Sequence, residues 1–278
     1  KAQIYDVLLK NPVFARDYMR QSKLPHDSLM INDFFRIANS PYIDTLNREV
    51  KKYFGDLSDI QSQLDLTFRL VKHYYPKFEA PIVYTTVTGF GNDIFVSDSL
   101  IIIGLDYFLG ANSRYRPPDV PNYMMRRYKK ETIVPLIALF MSNRYNEISD
   151  DKTLLADMIF HGKGLYFAKK VCPVPDSLII GYTSKEWQGA TENQAFLWGH
   201  FVENNLFFEK SILKKRKYID EAPFVSDISS ECPGRIGRWL AWQIVKKYME
   251  RQKEPNLPDL MKTSNAQQIF EQAKFKPQ

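Results

Sequence analysis

Between Ile82 and Leu105 the hydrophobic pattern of this 278-residue chain switches from a helical period to a β period, and it does so convincingly nowhere else. Ile82–Thr88 is rich in β-branched and aromatic residues, Gly89–Asp93 reads as a turn, and Ile94–Ser97 reads as the return strand. Asp98 and Ser99 make a second tight turn into Leu100–Leu105. One short sheet in so long a chain means that helices must supply most of the core. The expected class is α+β: a mostly helical single domain with a small antiparallel β-meander over 82–105.

Around that sheet the apolar residues recur at helical spacing. Residues 1–57 hold short helical pieces broken at Pro12, Pro25 and Pro41; residues 58–110 hold a helix and the meander; residues 111–278 form a helical body. Ser58–Tyr75 is expected to be a helix, with Ser58 and Gln61 as a capping-box pair and Ile60, Leu64, Phe68 and Val71 as its apolar stripe. Further helices are expected near Tyr123–Lys130, Pro135–Ser142, Asp150–Lys170, Ser184–Phe208, Arg235–Arg251 and Ser264–Lys274, the fourth opened by a Thr183–Glu186 capping box. Pro233 suits the first turn of the fifth, and Gly237 inside it implies something packed closely over the helix. The proline-bearing loop from Pro117 to Pro121 is of the kind that rims a cleft, with an exposed apolar or aromatic patch expected near Tyr115–Tyr123.

The net charge is +6, with basic runs at Arg126–Lys130 and Lys214–Lys217. Such runs bind phosphates or anionic head groups, or are simply solvated loops and helix ends. No nucleic-acid motif accompanies them, so nucleic acid is not an expected partner. The two cysteines, Cys172 and Cys232, make no disulfide framework and no finger-type zinc site, although a single bridge is open to them. No apolar run approaches the roughly 20 residues of a membrane span.

Polar residues on apolar helices are the candidates for chemistry. At about 100° per residue, His161 falls close to Leu154 on the wheel, and Asp157 lies one turn before it. An i,i+4 pair at the seam of a core-facing stripe is how a helix presents two metal ligands. Glu192, His200 and Glu203 share one strip of the Ser184–Phe208 helix, either a window to solvent or the wall of an internal site. Asp106 ends the third strand, where it either lines a cleft or caps the strand-to-loop turn. Arg235 and Arg238 sit near a helix N-terminus, where cations are unfavourable unless paired. They therefore call for a carboxylate, with Glu231 the nearest in sequence, or for a bound anion.

Four stretches in fixed order carry a resemblance: I-G-L-D-Y-F-L-G (Ile103–Gly110), M-I-F-H-G-K-G-L-Y (Met158–Tyr166), S-E-C-P-G-R-I-G-R-W-L-A-W (Ser230–Trp242) and the final F-K-P. Together they resemble the gliding-motility lipoprotein B (GldB) family of Bacteroidetes. The resemblance implies an export signal and a lipid-modified cysteine upstream, a periplasm-facing position anchored to a membrane of the cell envelope, and protein partners in the motility and secretion machinery. That family is distantly similar to predicted zinc-dependent metallopeptidases, which implies a degenerate zincin-like fold. In that correspondence Asp157-Met158-Ile159-Phe160-His161 occupies the place of H-E-x-x-H, and Glu192 is the downstream ligand. Met158 then replaces the glutamate that activates water, and a thioether cannot move a proton. The expected function is a non-catalytic envelope lipoprotein without a cofactor. The alternative is a metal-dependent hydrolase with zinc on Asp157, His161 and Glu192.

Overall fold

The structure is a computed structural model and describes residues 1–20 and 28–277, so the expected break at Pro25 lies outside the described residues. Backbone contacts divide the chain into two compact units, Lys1–Ser62 with Lys77–Ile133, and Gln63–Pro76 with Val134–Gln278.

The first unit contains α1 (Ala2–Lys10), α2 (Ser28–Ala38), α3 (Pro41–Phe54) and the start of α4 (Ser58–Tyr74). Pro41 occupies the first turn of α3, where its missing N–H costs nothing, and Gly55 at φ 66° ends the helix. Leu46, Val50 and Phe54 are buried one turn apart along it. At the start of α4 the expected Ser58–Gln61 capping box is replaced by Asp56, whose Oδ1 accepts from Ser58 N (3.1 Å) and Ser58 Oγ (2.9 Å).

The sheet consists of β1 (Ile82–Thr86), β2 (Ile94–Val96) and β3 (Leu100–Gly104), and it is not the expected meander. Its order is β1-β3-β2, with β3 parallel to β1 (Val83 opposite Ile101) and antiparallel to β2 (Phe95 opposite Ile102). The reason is the composition of β3. Four consecutive large aliphatic residues leave no polar face, and all five positions of the strand are buried. A strand of that kind belongs in the centre of a sheet. β1, with exposed positions at Ile82 and Thr85, forms one of the edges.

The second unit continues α4 and adds α5 (Ile133–Ser142), α6 (Leu154–Val171), α7 (Asp176–Ile180), α8 (Ser184–Glu192), α9 (Gln194–Glu203), α10 (Ile212–Ile219), α11 (Ile236–Glu250), α12 (Leu257–Lys262) and α13 (Ala266–Ala273). The expected helix near Tyr123–Lys130, in the first unit, is reduced to 3-10 turns at Met125–Arg127 and Lys130–Thr132. The long Ser184–Phe208 helix breaks at Asn193, whose φ of −101° lies outside the helical range. Packing centres on α6 against α11. A side chain at Gly162 would place Cβ 2.8 Å from the Ala241 carbonyl carbon, so glycine lets the two backbones meet. Gly237 is covered as expected, with Tyr218 O 3.0 Å from the position a Cβ would take. Trp239 and Trp242 are fully buried, and the Trp187 ring meets both edge-on at 6.3 and 5.8 Å. Each such side chain contributes about 1.5–3 kcal/mol on burial.

Candidate functional site

α6 opens on Thr153, whose Oγ1 accepts from Ala156 N at 3.3 Å, rather than at the expected Asp150. Asp157, in its first turn, binds Lys215 Nζ at 2.7 Å. His161, a turn later, is partly buried, and its imidazolium is disfavoured first by burial and then by the charges of Arg238 and Arg235, which push its pKa down to about 3. A neutral imidazole can ligate a metal, but two guanidinium charges nearby repel a divalent cation. Glu192, the third expected ligand, ends α8 in solvent and accepts from Gln188 Nε2 at 2.7 Å. Among the described residues no three His, Cys, Asp or Glu side chains converge as metal ligands. The structure therefore does not gather Asp157, His161 and Glu192 into one site.

Lys163, which the residue patterns did not single out, is the most committed polar group of α6. It is buried, and its Nζ donates to the carbonyls of Thr263 (2.8 Å), Glu147 (3.1 Å) and Met261 (3.3 Å). Burial pushes its pKa down to about 8. The C-terminal carbonyls of a helix lack intrahelical partners and carry partial negative charge, so a cation there closes α12. A lysine between two glycines in the middle of a largely buried helix was the signal for it.

Arg235 and Arg238 follow the same logic on α11. Arg235 stands just before the helix at φ 64°, so the expected helical turn at Pro233 is instead a non-helical entry. Its guanidinium donates to Ile180 O at the end of α7, pairs with Glu221 Oε1 at 3.2 Å, and lies over the Tyr182 ring. Arg238 Nε donates to Ile219 O at the end of α10, at 2.6 Å. Two cations misplaced for their own helix thus close the C-termini of two others. The carboxylate partner is Glu221 and not Glu231, which pairs with Lys185 at 3.1 Å on the surface.

The remaining candidates are separated. Asp106, in the first unit, is buried and accepts from Phe90 N (2.7 Å), Thr88 N (3.0 Å) and Thr88 Oγ1. It therefore ties down the turn after β1. Tyr115 and Tyr123 are partly buried. The break at Asn193 takes Glu192 off the strip it was expected to share with His200 and Glu203. His200 Nε2 lies 3.2 Å from Tyr218 Oη, whose pKa rises to about 12 through burial and Asp227, while Glu203 is exposed. Cys172 and Cys232 are unpaired and buried, their thiols pushed up to about 11 and about 12 by burial.

What the second unit leaves open is a groove of about 580 Å³. Its α8–α9 wall includes Thr183, Gly189, Asn193 and Phe196; its other wall is the Pro223–Ile236 segment, with Ile228, Ser229 and Cys232. The Thr183–Glu186 capping box fixes the start of α8, with Thr183 N bound to Glu186 Oε2 at 2.8 Å. Gly189 has nothing within 4 Å of where a Cβ would stand, and Phe196 is 61% exposed. The lining mixes apolar surface with hydroxyl, amide and charged groups, among them Thr183, whose Oγ1 donates to Glu186 Oε2 at 3.0 Å. A second hollow of about 500 Å³ is lined by His200, Asn204, Lys214, Lys217, Tyr218 and Asp227, among others.

The family model described as Gliding motility protein GldB matches residues 1–277. No curated protein and no solved structure matches the chain.

Proposed function

The chain belongs to the GldB gliding-motility family, and we propose that it works without catalysis, as a lipid-anchored component of the cell envelope that holds a protein partner in the groove between α8–α9 and the Pro223–Ile236 segment. The partner class is a protein of the motility and secretion machinery, and the chain would face the periplasm. No helix among the described residues is long and apolar enough to cross a membrane. A lipid anchor would hold partner and chain close and raise their effective concentration.

The observation that carries this reading is how the polar groups are divided. Lys163, Arg235 and Arg238 end on helix carbonyls, and Asp157 ends on a lysine, so each of these four is taken up in holding the fold. The groove, by contrast, offers an exposed phenyl ring and unfilled space beside Gly189. An aromatic anchor at the centre of an interface is typically worth about 2 kcal/mol or more.

The test is complementation of a strain lacking the gene. Phe196→Asp and Gly189→Trp should accumulate to normal levels yet fail to restore gliding or secretion. Full restoration by both would overturn the groove as the functional surface.

A further inference from the structure

Next to that groove, but outside it, α10 begins with side chains that the fold leaves uncovered. Leu213 is 76% exposed, Ile212 64% and Phe208 60%, although Leu206 and Phe207 just before them are buried. The buried end of the helix is its C-terminal one, at Tyr218 and Ile219. Phe208–Lys217 also holds five cations (Lys210, Lys214, Lys215, Arg216 and Lys217) against one carboxylate, Glu209. We propose that this segment is a membrane-surface contact, with Phe208, Ile212 and Leu213 entering the head-group layer and the adjacent lysines meeting the phosphates of anionic phospholipids.

Residue chemistry favours a lipid surface over a protein. The cores of protein interfaces are depleted of lysine, whereas helices lying on a bilayer combine leucine and phenylalanine with flanking lysine and arginine. Lys215 is held in place, bound to Asp157 at 2.7 Å and to Lys152 O at 2.8 Å, and so keeps α10 docked. The others are exchangeable. Lys214 meets Glu209 at 2.9 Å, Lys217 meets Asp227 at 2.8 Å and Arg216 stands 3.7 Å from Asp220, all near the surface. Exposed pairs of this kind are weak, so phosphate groups can replace the carboxylates. Lys214 and Lys217 line the 500 Å³ hollow together with His200, which gives a head group somewhere to sit. The contact needs no lipid anchor and does not depend on the groove.

The test is sedimentation of the soluble chain with vesicles. It should bind phosphatidylglycerol vesicles, bind pure phosphatidylcholine vesicles far less, and be released by salt. Ile212→Ser with Leu213→Ser should weaken binding about tenfold or more, and Lys210→Gln with Lys214→Gln about thirtyfold. All four positions are exposed, so circular dichroism and the melting temperature should be those of the wild type. Equal binding to both vesicle types, or no loss in either double variant, would overturn the proposal. So would displacement by inorganic phosphate at concentrations that leave the ionic strength unchanged, since the hollow would then be a site for free phosphate. Phe196→Asp should bind vesicles normally, which separates this contact from the groove.

Discussion

The interior of the second unit and its α8–α10 shell contain the same kinds of residue put to opposite ends. In the interior, Lys163, Arg235 and Arg238 each donate to carbonyls at or just beyond the end of a neighbouring helix, and Gly162 brings two backbones together. In the shell, Lys214 and Lys217 pair with surface carboxylates, Gly189 faces empty space, and phenylalanine and leucine stand in water. What a cation or glycine contributes is therefore decided by what it faces, not by its type. The two sets can be told apart by substitution.

The largest expected effect is Gly162→Leu. Its Cβ alone would stand 2.8 and 2.9 Å from the carbonyl carbon and oxygen of Ala241, and backbone cannot move aside as a flexible side chain can. Overpacking of this severity should cost about 3 kcal/mol or more, read as a lowered urea midpoint or failure to accumulate folded. A midpoint like that of the wild type would mean that α6 and α11 can separate cheaply, and the contrast with the shell would lose its basis.

Lys163→Met comes next. The thioether keeps most of the volume but leaves the carbonyls of Glu147 and Thr263 without the ammonium. Unmet buried acceptors of this kind should lower stability by about 2–3 kcal/mol. Lys210→Met in the shell should change it by less than about 0.5 kcal/mol. Equal urea midpoints for the two variants would show that Lys163 is not holding the chain after α12.

The legible part of this architecture was the part set by period and composition. α4, α6, α11 and the three strands were placed within a few residues, because their stripes and β-branched runs are local signals. Strand order was not, since reading a meander treats neighbours in sequence as neighbours in space; the unbroken Leu100–Ile103 run pointed to a central strand. The wheel for α6 also misled. Leu155, Ile159, Phe167 and Ala168 are buried as well as Leu154, while Asp157 and His161 are partly buried and Asp157 is taken up by Lys215. Glu221, Ile180 and Ile219 could not be read as partners of the two arginines, because the contacts span 14, 55 and 19 positions and exist only once the helices pack.

His161 sharpens the comparison through pH. In the folded chain its imidazole takes a proton only near pH 3, against 6.5 for an unperturbed histidine. Between those values the unfolded chain binds more protons than the folded one. Stability therefore falls as pH drops through the window, by at most about 1.4 kcal/mol per pH unit from this residue. Urea unfolding at pH 7 and pH 5 should show a loss of about 2 kcal/mol that shrinks in His161→Gln. An identical loss in the variant would assign the acid sensitivity to other groups and free His161 from the interior set.

The smallest effect has the opposite sign. Gly189 lies inside α8 with nothing within 4 Å of a Cβ, so Gly189→Ala meets no obstacle and removes conformational freedom only from the unfolded chain. It should stabilise by about 0.4–1 kcal/mol, measured by urea unfolding. Since alanine projects little into the groove, partner binding should survive in Gly189→Ala and be lost in Gly189→Trp. A glycine whose replacement by alanine stabilises the fold while a larger residue there removes function is open for binding. One whose replacement by alanine destabilises the fold, as expected at Gly162, is there for packing. If Gly189→Ala lowered stability, α8 would be packed against something else, and the groove would be closed in solution.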